Sequence, residues 1–240
     1  MTSPLLKRVT AEAIGTGVLV AAVVGSGIMA TTLSDDLGLD LLINAVATVA
    51  ALGVLIWTLG PISGAHFNPA VTTVAAVRRE IAGREAGLYV VAQIGGALGG
   101  VALANLMFSA PAWEMSTNVR EGAGVLLGEV LATAGLLALI GALTRTGNGH
   151  LGPALVPAWI GAAYFFTAST SFANPAVTIG RAFTDSFSGI APQSVALFIA
   201  AQFVGAAIGA ALTEFFYPRP GVIPEPLDLP DPVHHEESND

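Results

Sequence analysis

Five residues occur twice in this chain: Asn68-Pro69-Ala70-Val71-Thr72 and, 106 positions later, Asn174-Pro175-Ala176-Val177-Thr178. Their types suit a helix start. An Asn side chain caps a helix through its carbonyl and keeps an NH2 group as donor, and proline fits the first turn. Both copies lie among long apolar runs, so each is expected to be a short helix that begins inside a membrane. Such a half-helix points spare N–H groups and a positive dipole end at whatever faces it. Two of them, facing, would orient a passing oxygen with its lone pairs towards the centre, repel cations and interrupt a proton wire.

A few other side chains have chemistry to offer. Glu12 and Glu129 are acids within apolar stretches, a costly placement that marks function or structural need. One reading is a proton relay. The other is a scaffold that hydrogen-bonds re-entrant backbone, and it is favoured because the two acids hold equivalent places in the two halves. His66, two residues before Asn68, is either a pore-lining or a structural histidine. Gln93 and Gln202 suit bonds between helices, and His150 reads as an ordinary loop histidine. His234 and His235 stand in an acidic tail, where such a pair is ordinarily surface rather than a metal site. The chain has no cysteine, hence neither a disulfide nor a thiolate site. No nucleophile–base set or metal cluster stands out, so no enzyme, metal or cofactor is expected.

These residues need a membrane frame, and the composition points to one. The chain of 240 residues is 53% hydrophobic and 11% charged, with a mean hydropathy of +0.71. Soluble domains carry roughly 25% charged residues. No basic patch supports nucleic-acid binding. Six apolar segments are long enough to cross, about 9–30, 41–60, 87–108, 122–143, 153–170 and 192–216. The first, behind Lys7 and Arg8, is longer than a signal-peptide core and is read as a retained span. Small residues such as Gly95-Gly96, Gly99-Gly100 and the pair Gly205 and Gly209 describe a tightly packed bundle. Putting both ends on one side gathers Lys7, Arg8, Arg78, Arg79, Arg84, Arg145 and Arg219 there, against Arg120 and Arg181 opposite. The positive-inside rule then makes both termini cytoplasmic. Residues 1–216 form one membrane domain, and the proline-rich, acidic segment 217–240 reads as a disordered cytoplasmic tail.

The halves, about 7–108 and 122–216, repeat beyond the central motif, with Glu12 answering to Glu129 and Gln93 to Gln202. Three spans per half is an odd number, so the repeat is inverted and one motif enters from each side. Irregular backbone at that depth is buried or lines a water-filled passage. A pore is expected.

On these residues the chain resembles the aquaporins, the major intrinsic protein family. Residues 63–72 are close to that family's first signature, Asn174-Pro175-Ala176 matches the core of the second, and the resemblance covers about 7–216. It implies an all-α membrane protein, with six transmembrane helices and two re-entrant half-helices in an inverted repeat. It also implies a homotetramer with one pore per subunit, His66 on the cytoplasmic half of the pore, and Glu12 and Glu129 as loop scaffold. Four positions of the outer constriction carry over by spacing as Thr48, Ala162, Ser171 and Val177. Water-selective relatives place Phe, His and Arg in this ring, and glycerol facilitators keep the Arg with large aromatic neighbours.

Here the ring is small and lacks the Arg, and the Asp that follows it in glycerol facilitators is Thr178. Four small side chains imply a wide opening with few fixed donors. Such a ring is open to water, glycerol and uncharged metalloid hydroxides such as arsenous acid. Bacterial relatives with Val after the second Asn-Pro-Ala resemble channels linked to arsenic handling. Arg181, one helical turn beyond Val177, either returns a positive charge to the outer vestibule or is an interfacial arginine. The expected function is a passive channel for small uncharged solutes. The alternative, an ion- or proton-coupled secondary transporter, needs a titratable or ion-coordinating group on the pathway.

Overall fold

A computed structural model describes residues 4–218, and all of its regular structure is helical. In chain order the helices are α1 (Leu5–Leu33), α2 (Leu37–Ser63), α3 (Pro69–Val77), α4 (Gly83–Met107), α5 (Ala123–Arg145), α6 (Gly152–Phe166), α7 (Pro175–Arg181) and α8 (Pro192–Phe216). Five of them, α1, α2, α4, α5 and α8, are long and apolar enough to cross a membrane. Their outer faces expose large apolar side chains, among them Trp57, Val91, Leu127, Leu197 and Phe215, as a lipid-facing surface requires. The expected tail, with Arg219, His234 and His235, lies outside the described residues.

The fifth expected span, 153–170, is shorter as a helix than its apolar segment. α6 has 15 residues, preceded by a 3-10 turn at Gly149–Leu151. Thr167 turns to extended backbone, φ −106° and ψ 144°, and the small residues that follow belong to a re-entrant loop. Apolar composition runs on where the helix does not.

The two short helices start where the repeated motif places them. Asn68 is extended and its side chain accepts from Ala70 N at 2.9 Å. Asn174 accepts from Ala176 N at 3.0 Å and Val177 N at 3.3 Å. Pro69 and Pro175 take the first helical turn, where a missing N–H costs nothing.

Packing repeats with the motif. α1 lies chiefly on α4, and α5 on α8. A Cβ on Gly96 would collide with the carbonyl oxygen of Ala13, and one on Gly100 with that of Gly17. In the second half Gly205 meets the Val130 oxygen and Gly209 the Ala134 oxygen. The same two contacts thus recur in each half, and they let helix backbones touch. α2 packs on α6, which ties the halves together, while α3 touches α4 and α8 and α7 touches α1, α4 and α8. Each half-helix is therefore held by both repeats.

Candidate functional site: a passage between two half-helices

The segments leading into α3 and α7 have unusual backbone. Gly64, Ala65 and Phe67 have φ of 90°, 50° and 48°, and Thr170, Ser171 and Ala173 have φ of 61°, 54° and 48°. Five of these six carry a Cβ in left-handed geometry, at a cost on the order of 1 kcal/mol each. Two buried carboxylates offset that cost. Glu12 Oε1 accepts from Ser63 Oγ at 2.6 Å and His66 N at 3.0 Å, and Oε2 accepts from Phe67 N at 2.7 Å and Gln93 Nε2 at 2.8 Å. In the other half Glu129 Oε1 accepts from Phe172 N at 2.8 Å, and Oε2 accepts from Ala173 N at 2.9 Å and Gln202 Nε2 at 2.6 Å. The glutamines reach on to Thr72 Oγ1 at 2.9 Å and Thr178 Oγ1 at 2.8 Å. A carboxylate with no solvent contact persists only with such partners.

At the centre the two asparagines exchange bonds. Asn68 Nδ2 donates to Ala173 O at 2.8 Å, and Asn174 Nδ2 donates to Phe67 O at 2.7 Å. Each NH2 group has two hydrogens, so one remains for the cavity that both residues line. That cavity, of about 340 Å³, runs from Arg78, Glu80 and Thr144 at one end to Tyr164 and Arg181 at the other.

His66 also lines it, with Nδ1 at 3.0 Å from Thr72 Oγ1 and its ring edge-on to Tyr89. The Thr72 hydroxyl also accepts from Gln93 Nε2, which links the imidazole to the amide that holds Glu12. In the second half Phe172 stands where His66 does, and the Thr178 hydroxyl turns to Asn174 O at 2.9 Å instead.

Of the four expected ring residues, Thr48, Ser171 and Val177 line the cavity. Ala162 does not; it is exposed. The face of α6 towards the cavity carries Gly152, Val156, Ile160 and Tyr164, a four-residue ladder that the helical period sets half a turn from Ala162. Tyr164 is buried and its Oη donates to Thr48 Oγ1 at 3.2 Å. One side of the ring is therefore a large aromatic, in correction of the small side chain that the spacing implied.

Arg181 is 2% exposed and lines the cavity, so it is not an interfacial arginine. Sequence reasoning missed Tyr164, Phe172 and Arg120 at this end. The ladder with Val156 and Ile160 was the available signal for Tyr164. Equivalence to His66 was the signal for Phe172. Arg120 lies in the segment between α4 and α5, which has no periodicity to read; burial lowers its pKa, and a guanidinium stays charged regardless.

Comparison with known proteins gives four findings. The family model described as "Major intrinsic protein" matches residues 1–173. Aquaglyceroporin AqpS of Rhizobium meliloti (strain 1021) is 51% identical over 208 residues, covering 87% of this chain and 89% of that protein. A probable aquaporin, TIP-type, of Medicago truncatula is 34% identical over 192 residues, covering 74% and 75%. In fold, the X-ray structure of the aquaglyceroporin from Plasmodium falciparum superposes with a TM-score of 0.71 at 19% identity, covering 90% of this chain and 96% of that one.

Proposed function

The chain belongs to the major intrinsic protein family and is a channel for small neutral solutes, and we propose that glycerol and metalloid hydroxides such as arsenous acid pass it beside water. The observation that carries this reading is Val177. It lines the cavity on the first turn of α7, and its side chain supplies no donor. Thr48, Tyr164 and Ser171 complete the ring, which mixes hydroxyls with apolar surface and suits a solute that has both C–H and O–H groups. The similarity to a protein named an aquaglyceroporin supports the same class.

Passage is passive. A solute oxygen meets the free N–H of Asn68, that of Asn174 and the imidazole of His66, while the dipoles of α3 and α7 turn its lone pairs inward. Glu12 accepts four hydrogen bonds and Glu129 at least three, and neither is among the cavity-lining residues. That supports the scaffold role for both acids over a proton relay. Both termini on the cytoplasmic side and a homotetramer complete the proposal. The distribution of Lys and Arg supports the first and the family resemblance the second.

The test is reconstitution in liposomes, with shrinkage followed in water, glycerol and arsenous-acid gradients, with and without a proton gradient. Val177→Arg should cut glycerol and arsenous-acid flux about tenfold or more, and water less. Equal passage in wild type and variant would sink the ring argument. Proton-driven uptake against a solute gradient would replace the channel with a coupled transporter.

A further inference from the structure

The inverted repeat is broken at the outer end by charge. Position 181 answers to Ala75 in the first half, yet it holds an arginine. The Arg181 Cζ lies 3.4 Å from the centroid of the Phe172 ring, and the Arg120 Cζ lies 5.2 Å from the same centroid. Phe172 is itself fixed edge-on against Phe198, 5.1 Å away. Three successive carbonyls hold the two guanidiniums. Phe187 O and Gly189 O accept from Arg120 Nη2 at 3.2 Å and Nε at 2.8 Å. Ser188 O between them accepts from Arg181 Nε.

Two like charges brought this close repel, and more strongly away from water. Among the described residues neither has a carboxylate within ion-pair distance. Asp185, on the same segment, accepts from Thr117 N and Oγ1 instead. The terminal nitrogens of Arg181 have no hydrogen-bond acceptor among the described residues, although the residue lines the cavity. A buried, uncompensated cation that borders a pore imposes a field on whatever enters it.

We propose that Arg181, seated on Phe172 and backed by Arg120, is the cation barrier of this pore and its specificity-determining charge, in place of the arginine that position 177 lacks. It rejects alkali cations and hydronium. It accepts neutral solutes through their oxygen lone pairs, without narrowing the ring at Val177. The inference rests on the channel reading above but is read by a different signal.

The full chain is reconstituted, and sodium leak and glycerol flux are measured in the same vesicles. Arg181→Met should raise the ratio of sodium leak to glycerol flux about tenfold or more, and Arg120→Gln about two- to threefold. Arg181→Lys, which keeps the charge, should stay within about twofold of wild type. A purely packing role would make Lys as damaging as Met. A wild-type ratio in both Arg181→Met and Arg120→Gln overturns the proposal. If Arg181→Met does not reach the membrane, the other two decide: a rise in Arg120→Gln without one in Arg181→Lys supports it, and no rise in Arg120→Gln overturns it. A wild-type protein that passes no glycerol would strike the channel reading instead, while its sodium leak still reports on the arginines.

Discussion

Glu12 and Glu129 each give a re-entrant loop the acceptors that its backbone cannot supply. The N–H groups of His66 and Phe67, and of Phe172 and Ala173, turn away from their own chain and end on these carboxylates. A glutamine there has one acceptor oxygen and brings two donors of its own. Glu12→Gln and Glu129→Gln should therefore each lose about 2–3 kcal/mol, seen as a lower melting temperature in detergent and lost flux. Unchanged stability with altered proton movement would favour the relay reading instead. Tyr164 makes a second claim at this scale. Tyr164→Ala should raise the flux of a five-carbon polyol relative to glycerol several-fold, because the bulky side of the ring is gone. Ala162→Leu, on the exposed face of α6, should leave that ratio within about twofold. The opposite pattern would return Ala162 to the ring.

At the scale of the element, the glycine contacts set how close the helices stand. Gly100 on α4 faces the Gly17 carbonyl, and Gly209 on α8 faces that of Ala134. Gly100→Val and Gly209→Val should each cost about 1–3 kcal/mol or more, since rigid backbone rather than a movable side chain is in the way. Gly99→Val, where a Cβ meets nothing within 4 Å, is the control, and melting of the purified protein compares them. The elements were readable to different degrees for physical reasons. α3 and α7 announce themselves through Asn and Pro, whose capping chemistry is local. The inverted repeat follows from matched acids and glutamines. The end of α6 has no such local mark, because the chain leaves the helix through residues as small and apolar as those inside it, so counting back from Asn174 picked the wrong face. The left-handed residues before each Asn were also out of reach, since Ala, Phe, Thr and Ser ordinarily avoid that geometry. Only the distant carboxylates make it tolerable.

At the scale of the whole molecule, the question is which face of the membrane meets which end of the passage. The segment after α1 and the segment after α5 lie on opposite sides if α1 to α5 cross as their lengths allow, with α3 returning to the side it entered from. Asp35 and Asn148 are exposed in those two segments. The chain has no cysteine, so a single introduced thiol is the only target for a membrane-impermeant maleimide. Asp35→Cys should label on intact cells, and Asn148→Cys only after the cells are opened. The reasoning is the excess of Lys and Arg on the side that holds Arg78, Arg79, Arg84 and Arg145, which translocate poorly. The reverse labelling would do more than flip a drawing. It would put Arg120, Phe172 and Arg181 at the cytoplasmic mouth and His66 at the external one, so that solutes entering from outside would meet the imidazole first and the guanidiniums last. A cation barrier works in either direction, because it is a height in the profile and not a gate. The sodium-leak ratios should therefore be the same in both orientations, and labelling alone decides which mouth carries the charge.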